Sequence, residues 1–249
     1  THNLRLLDND CFKVNVSGGS DLKVTINGIL SRDVDVEIYD DSVPPRQLVG
    51  GISGANTETV YISDVASGGY FIVVPYWRSQ GLQNAYSLTV ETGDFGIGEI
   101  TGLVTEDPSG LGIEVRVNIY DLNSPKRWHT FTRDNGSYSI SLPPGDYKFF
   151  FDSRPWDYFP YQYQGFNYVN EWYDNKPTSS RAAIVSVQTD QTISDINAQL
   201  KPGGLITGRI TDTEGIGLER ILVRDWGGDG RTLSYTYSDA DGYYSLERL

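Results

Sequence analysis

The chain is poor in the residues on which disulfide, metal and nucleophilic chemistry depend. Its 249 residues include one cysteine, two histidines and no methionine. A single Cys11 cannot form an intramolecular disulfide framework or a zinc ribbon. Two histidines, His2 and His129, are too few to favour a metal cluster or a Ser-His-Asp arrangement. We therefore expect a non-catalytic protein, with His129 a surface aromatic residue and Cys11 a packed or idle thiol.

Long apolar runs and an excess of basic residues are absent as well. The chain has 33 aspartates and glutamates against 20 lysines and arginines, and its net charge is −13. An acidic chain repels the phosphates of nucleic acid, which argues against a nucleic-acid partner. No apolar run is long enough to span a bilayer, and we find no long stretch with apolar residues at helical spacing. Helix should accordingly be scarce.

Glycine, proline, tyrosine and short β-branched runs are abundant, which is typical of an all-β protein with many turns. The chain contains 27 glycines, 11 prolines and 17 tyrosines. Apolar and polar residues alternate in short runs such as Phe12 to Val16, Leu22 to Ile26 and Val34 to Ile38. Tyr70 to Val74 is apolar on both faces and predicts a central strand. Residues 1–93 are therefore expected to form an antiparallel sandwich of roughly eight strands.

Residues 100–147 organise the rest of the chain, because a second copy of their motifs begins roughly 106 residues later. Ile100 to Val104 returns as Ile206 to Ile210, and the hairpin at Gly136 returns at Gly242. Asn-Gly and Asp-Gly supply the positive φ that a tight hairpin needs. The repeat predicts two further β-sandwich modules after the first.

The predicted division of the chain is three modules separated by two short joints. The modules span residues 1–93, 99–201 and 205–249, and the joints span residues 94–98 and 202–204. Both joints are rich in glycine. The first joint also contains Phe95 and Ile97, which a purely flexible linker would lack, so we expect it to pack against both neighbours.

The third module is shorter than the second. In the second module, a long stretch after Leu142 carries the strands that finish the sandwich, whereas little follows Leu246. A sandwich without its last strands leaves edges and apolar faces unpaired. Two explanations stay open: the chain is a fragment of a longer protein, or another subunit donates the missing strands.

Several segments of the first module occur in the order known from one bacterial family. They are Asp8 to Val14, Leu22 to Ile26, Asp35 to Asp40, Asn56 to Glu58, Gly69 to Val74 and Tyr86 to Val90. The module resembles the bacterial pre-peptidase C-terminal domain. The resemblance implies a small, jelly-roll-like β-sandwich that is appended to secreted proteases and other exported proteins. Some members bind calcium or collagen-like polymers, and the resemblance does not imply catalysis.

The later modules have a second resemblance, carried by structural motifs. These are the Asp134 hairpin, the Leu142 to Tyr147 turn, the segment Asn170 to Asn175, and the strands around Ala183 to Val187 and Ile193 to Leu200. They resemble the carboxypeptidase regulatory-like, or transthyretin-like, repeats of secreted bacterial proteins. The resemblance implies immunoglobulin/transthyretin-like sandwiches for residues 99–249. The expected fold class is all-β, with tandem antiparallel β-sandwich modules.

Calcium is the cation that the sequence favours, because closely spaced aspartates in turns supply both carboxylate and carbonyl oxygens. Asp8 and Asp10 are the predicted metal ligands, since the first resemblance places a recurrent Asp-x-Asp there. The competing interpretation is that such aspartates serve turn geometry alone.

The most unusual composition lies between Arg154 and Tyr173, where aromatic residues alternate with prolines and amides. Aromatic faces with polar neighbours stack on sugar rings or on a protein partner. We predict a binding or subunit-contact surface at Trp156, Tyr158, Tyr161 and Tyr163. The competing interpretation is a long loop that folds over the sandwich as a secondary core.

Together these features predict an extracellular or cell-surface protein with a structural or adhesive role, such as a filament subunit assembled by β-strand donation. The expected partners are copies of the chain itself, other surface proteins, polysaccharide or fibrous protein. The alternative, from another class, is an accessory region of a secreted protease or glycoside hydrolase. That region would anchor or bind substrate for a catalytic domain outside these residues.

Overall fold

The computed structural model describes residues 2–6, 9–28, 33–75, 84–153, 156–158, 161–163, 168–224 and 235–247. For residues 2–6, 84, 156–158 and 161–163 it describes the backbone alone. Within these ranges the regular elements are β-strands, apart from the short 3-10 helix Ser179–Arg181. The all-β fold class is confirmed.

In the part of the first unit that the structure describes, eight strands form a sandwich. Its strands are β1 (His2–Leu6), β2 (Asp10–Val16), β3 (Asp21–Gly28), β4 (Val36–Asp40), β5 (Gln47–Gly51), β6 (Thr57–Ile62), β7 (Gly68–Val74) and β8 (Asn84–Gly93). One sheet has the order β1-β8-β3-β6, and the other has the order β2-β7-β4-β5. This strand order is that of a jelly roll. Alternation explains the core, because Leu22, Val24 and Ile26 of β3 are fully buried and the residues between them are not.

The second unit continues with β9 to β19. Its strands are β9 (Gly98–Glu106), β10 (Arg116–Asp121), β11 (Arg127–Phe131), β12 (Ser137–Leu142), β13 (Gly145–Asp152), β14 (Trp156–Tyr158), β15 (Tyr161–Tyr163), β16 (Glu171–Trp172), β17 (Val185–Val187), β18 (Thr192–Ile193) and β19 (Ala198–Leu200). In one layer β9 lies between β12 and the parallel strands β18 and β19. In the other layer β10 lies between β11 and β13, and β16 and β17 pair with β13. Strands β14 and β15 form a separate two-stranded sheet.

The described residues of the third unit form four strands. They are β20 (Leu205–Arg209), β21 (Leu222–Arg224), β22 (Tyr235–Tyr237) and β23 (Tyr243–Glu247). Strand β20 pairs with β23 and β21 pairs with β22, both antiparallel. The hairpin turns at Gly136 and Gly242 have φ values of 81° and 84°, which is the conformation predicted for them.

The first and second units share both of their sheets. Strand β5 pairs with β11 at Gly51–Trp128 and Gly50–His129, and β6 pairs with β12 in the other layer. The buried apolar residues of both units form one cluster. We call the contact made by β5, β6, β11 and β12 the seam. The module boundaries at residues 93 and 99 stay predictions, but both layers run across them.

Two details explain how the seam closes. The indole Nε1 of Trp128, a residue 1% exposed, donates a 2.8 Å hydrogen bond to the carbonyl of Thr59 in the first unit. A Cβ atom at Gly50 would lie 2.1 Å from Cε1 of His129, so only glycine permits the two strands to approach this closely. The pairing of the units therefore depends on a glycine at the edge of β5.

Candidate functional site

The predicted calcium ligands fall at the start of β2. Asp8 lies outside the described residues. Asp10 accepts a 2.5 Å hydrogen bond from the Tyr86 hydroxyl, and burial together with this carboxylate raises the pKa of Tyr86. One Asp10 oxygen is thus engaged by the protein, and the assignment of calcium to this pair stays a prediction.

The predicted aromatic surface falls on β14 and β15. Their antiparallel register places Trp156 opposite Tyr163 and Tyr158 opposite Tyr161. Because side chains alternate between the two faces of a ladder, this register assigns all four positions to the same face. The side chains themselves lie outside the described part of the structure, so their role in binding stays a prediction.

A carboxylate cluster that sequence reasoning did not select lies beside the seam. Asp33, Asp35 and Glu58 each bring one carboxylate oxygen within 4.8 Å of the others. Oxygens that share one calcium ion at 2.3–2.6 Å have separations of about this size. Asp35 and Glu58 are buried, and Ser53 donates a hydrogen bond to Glu58. The Asp-x-Asp spacing at residues 33 and 35 was the available sequence signal.

Protonation of Glu58 opposes the binding of a cation by this cluster. Burial raises the pKa of Glu58 to about 7, and the charge of Asp33 adds to the rise, whereas the Ser53 hydrogen bond and the charge of Lys126 oppose it. A metal ligand must be deprotonated, so cation binding here would strengthen as the pH increases. These three carboxylates are the set best placed to hold a hard cation among the described residues.

A second acidic feature is a cleft of about 450 Å³ at the joint between the first two units. Its walls include the carboxylates Asp21, Asp64, Asp94, Glu99 and Asp190. The two oxygens of Asp21 accept the backbone N–H groups of Asp64, at 3.1 Å, and of Phe95, at 3.3 Å. Asp21 therefore holds the joint against the first unit.

The seam contains a buried polar network. The Tyr39 hydroxyl donates a 2.8 Å hydrogen bond to Oε2 of Glu37. Nε2 of Gln47 lies 2.6 Å from Nε2 of His129, so the amide donates and the neutral ring nitrogen accepts. Oε1 of Glu37 lies 3.7 Å from the same ring nitrogen. The prediction that His129 is a surface residue is wrong, because the first unit covers β11 and leaves His129 only 3% exposed.

Burial determines the charge states in this network. It lowers the pKa of His129 well below the ordinary value, and the charge of Arg116 lowers it further. It raises the pKa of Glu37 to about 7, although the Tyr39 hydrogen bond and the Arg116 charge act in the opposite direction. Since Glu37 is 4% exposed and His129 is 3% exposed, the pair is closed to substrates. We interpret it as a structural element of the seam.

The third unit exposes many large apolar and aromatic side chains. These are Leu205, Ile206, Ile216, Leu218, Ile221, Leu222, Tyr235, Tyr237 and Tyr243. Its buried core is small and includes Leu246 and Ser238. The third unit therefore buries little apolar surface of its own among the described residues.

One family model matches part of the first unit. Residues 8–75 match the family model described as "Bacterial pre-peptidase C-terminal domain". This match supports the first of the two resemblances, and the second resemblance stays a prediction. No curated protein matches the chain significantly. Of the described residues, none lies in a helix that is long and apolar enough to cross a membrane.

The chain is also similar to several solved structures at low identity. "The Bacillus anthracis TIE protein" has 12% identity and a TM-score of 0.30, and the match covers 92% of this chain and 44% of that one. The "Streptococcal ancillary pilin" has 11% identity and a TM-score of 0.31, with 88% and 81% covered. The major pilin subunit of Bacillus cereus has 11% identity and a TM-score of 0.27, with 77% and 64% covered. TM-scores this low carry no functional conclusion.

Proposed function

We propose that the chain is a non-catalytic, extracellular structural or adhesive element, and that it serves as a subunit of a surface filament. The observation that carries the proposal is the seam, where both sheets continue from the first unit into the second. A joint of this kind resists bending because it aligns two layers and their common core. A rigid array of sandwiches suits a stalk that transmits force or displays a binding tip.

Localisation and composition of the native polypeptide test the proposal. Immunogold labelling of source cells with antibodies against residues 1–249 should decorate the cell surface or its appendages. Mass spectrometry of the labelled polypeptide should find either this chain alone or this chain joined to further sandwich repeats. Labelling confined to the cell interior would contradict the proposal.

A second candidate is an accessory region of a secreted protease or glycoside hydrolase. The match of residues 8–75 to the pre-peptidase C-terminal family favours this reading as much as the first. The same mass measurement separates the two functions. A catalytic domain in the native polypeptide would establish the accessory role and refute the structural one.

We assign partner contact to the aromatic positions of β14 and β15, which stand in a two-stranded sheet apart from the main layers. Copies of the chain, other surface proteins, polysaccharide and fibrous protein are the partners to test. Binding of the whole chain to immobilised glycans or collagen, compared with its self-association in sedimentation, separates these partners.

Calcium is proposed as a stabilising ion. A ligand that binds only the folded state raises the melting temperature according to its concentration and affinity. Addition of millimolar calcium should therefore raise the melting temperature of the chain, and Asp10→Asn should reduce the effect if Asp8 and Asp10 bind the ion. A calcium effect that persists in Asp10→Asn and disappears in Asp35→Asn would assign it to the cluster at the seam. No change with calcium in the wild-type chain would refute the proposal.

A further inference from the structure

The outer side of the layer that contains β10 and β13 carries three aromatic rings in contact. Ile119 of β10 and Phe149 of β13 belong to the core cluster. Because side chains alternate along a strand, the next residues, Tyr120 and Phe150, point to the opposite side. The ring centroid of Trp172, on β16, is 5.1 Å from that of Tyr120 and 4.9 Å from that of Phe150. Trp172 is 8% exposed and therefore fixes two rings that are themselves partly exposed.

Basic side chains border these rings. The register aligns Arg127 of β11, Tyr120 of β10 and Lys148 of β13 in one row. Since neighbouring strands are about 4.8 Å apart, the backbones of Arg127 and Lys148 are roughly 10 Å apart, with Tyr120 between them. Lys176 pairs with Trp172 in an isolated bridge. We call the surface formed by Tyr120, Arg127, Lys148, Phe150, Trp172 and Lys176 the cationic face.

Neutral partners hold the three cations of this face. The guanidinium carbon of Arg127 lies 5.2 Å from the centroid of the Tyr120 ring. Nζ of Lys148 and Nζ of Lys176 each donate a hydrogen bond to a backbone carbonyl, at 2.7 Å and 2.6 Å. These contacts order the side chains and neutralise none of their charge. Because the cations are ordered beforehand, less conformational entropy is lost when an anion binds them.

The charge of the cationic face differs from that of the whole chain. None of its three cations forms an ion pair within 4.0 Å with a carboxylate of the described residues. A further cation, Arg181, is exposed at the end of the 3-10 helix. Two acids are close to these cations in sequence: Asp146, whose carboxylate accepts the Ser186 hydroxyl at 2.5 Å, and the exposed Asp174. The face is thus positively charged in a chain whose net charge is −13.

The arrangement suits an anionic ligand that has apolar surface between its charges. Aromatic rings separate the cations, so a ligand that bridges them places apolar atoms on the rings. A chain of sugars with acid groups does so, because each sugar ring has C–H faces. An acidic peptide fits less well, since its backbone needs hydrogen-bond partners and β10 and β13 are already paired along both edges.

We propose that the cationic face binds an anionic polysaccharide. The sugar rings lie on Tyr120 and Phe150, and the carboxylate or sulfate groups contact the three cations. Arg127 offers a planar fork of N–H donors, whereas the lysines act as point charges. The inference rests on the proposed adhesive function and names the class of polymer to which the chain adheres.

Biolayer interferometry of the whole chain on immobilised polymers tests the proposal. Polygalacturonate supplies carboxylates, dextran sulfate supplies sulfates, and unmodified dextran is the neutral control. Saturable binding to at least one of the two anionic polymers, without binding to dextran, is the expected result, and it identifies the acid group. Binding to neither anionic polymer, or equal binding to dextran, would overturn the proposal.

Two anionic partners of other classes are measured beside the polysaccharides. Poly-L-glutamate presents carboxylates on a peptide backbone, and vesicles of phosphatidylserine and phosphatidylcholine present anionic groups on a membrane. Both should bind the chain about tenfold or more weakly than the better polysaccharide. Equal or tighter binding of either partner would show that the ligand is not a polysaccharide.

A pair of double variants locates the site. Arg127→Gln with Lys176→Gln removes two charges from the cationic face and should weaken polysaccharide binding by about tenfold or more. Arg46→Gln with Arg133→Gln is the matched control, because both arginines are exposed and line a small cleft at the opposite end of β11. Circular dichroism checks folding, and Arg181→Gln replaces Arg127→Gln if the latter unfolds the chain. Equal losses in the two double variants would mean that overall charge, and not this face, governs binding.

The inference and the function on which it rests fail in different ways. If the chain binds an anionic polysaccharide through this face but immunogold labelling is confined to the cell interior, the binding site stands and the extracellular function fails. If labelling decorates the cell surface but neither anionic polymer binds, the function stands and the inference is wrong.

Discussion

Replacement of Glu37 by glutamine should remove a large part of the pH dependence of stability. Burial raises the pKa of Glu37 from its ordinary value of 4.5 to about 7 in the folded chain. The folded state therefore binds more protons than the unfolded state between these two values. Linkage then requires that the contribution of Glu37 to stability is fully present below about pH 4.5 and is lost as the pH rises through about 7.

The magnitude follows from the size of the shift. Each pKa unit corresponds to about 1.4 kcal/mol, so wild type should lose about 2–3 kcal/mol between pH 5 and pH 8 through this one group. Glutamine keeps the shape and an acceptor for the Tyr39 hydroxyl, but it does not titrate. Glu37→Gln should lack that loss and should be more stable than wild type at pH 8.

Urea unfolding of both proteins at pH 5, 6, 7 and 8 measures the effect. Other groups titrate too: burial raises the pKa values of Glu58 and Glu171 to about 7, and it lowers that of His129. Those contributions are common to both proteins, so the difference between the two pH profiles isolates Glu37. Parallel profiles would refute the reasoning. A profile in which wild type gains stability toward pH 8 would show that Arg116 keeps Glu37 ionised.

Three further substitutions test the seam and the aromatic sheet. In urea unfolding, Gly50→Ala should destabilise the chain by about 1–3 kcal/mol, because the new methyl group collides with His129. Gly54→Ala is the control, since apart from its chain neighbours no atom lies within 4 Å of the added Cβ. It should cost less than about 0.5 kcal/mol. Equal effects would argue against close approach at the seam. Trp156→Ala and Tyr161→Ala should abolish self-association in sedimentation while the melting temperature stays nearly unchanged, and strong destabilisation would place them in a core instead.

Local pattern was sufficient to predict the strands and the repeat. Alternation in β3 identified Leu22, Val24 and Ile26 as core residues, and all three are fully buried. The Asp-Gly turn at Gly242 has the positive φ that its sequence requires. These features depend on residues close together in the chain, and period and turn chemistry report on such residues directly.

Contacts between units could not be predicted in the same way. His129 was predicted to lie at the surface, because no residue near it in the sequence indicates that it becomes buried. Its ring occupies the space that Gly50, in a strand distant in sequence, leaves open. The three carboxylates at the seam come from two segments, Asp33 to Asp35 and Glu58, which the sandwich brings together. Both features depend on how strands distant in sequence pair, which one sequence does not reveal.

The shared sheets also set an order for folding. A chain emerging from the ribosome or an export channel presents the first unit before β11 and β12 exist. Until residues 127–142 arrive, the edge of β5 lacks its neighbour and Glu37 lacks the side of its enclosure that His129 provides. The first unit therefore keeps an unpaired edge at β5 until β11 has been synthesised.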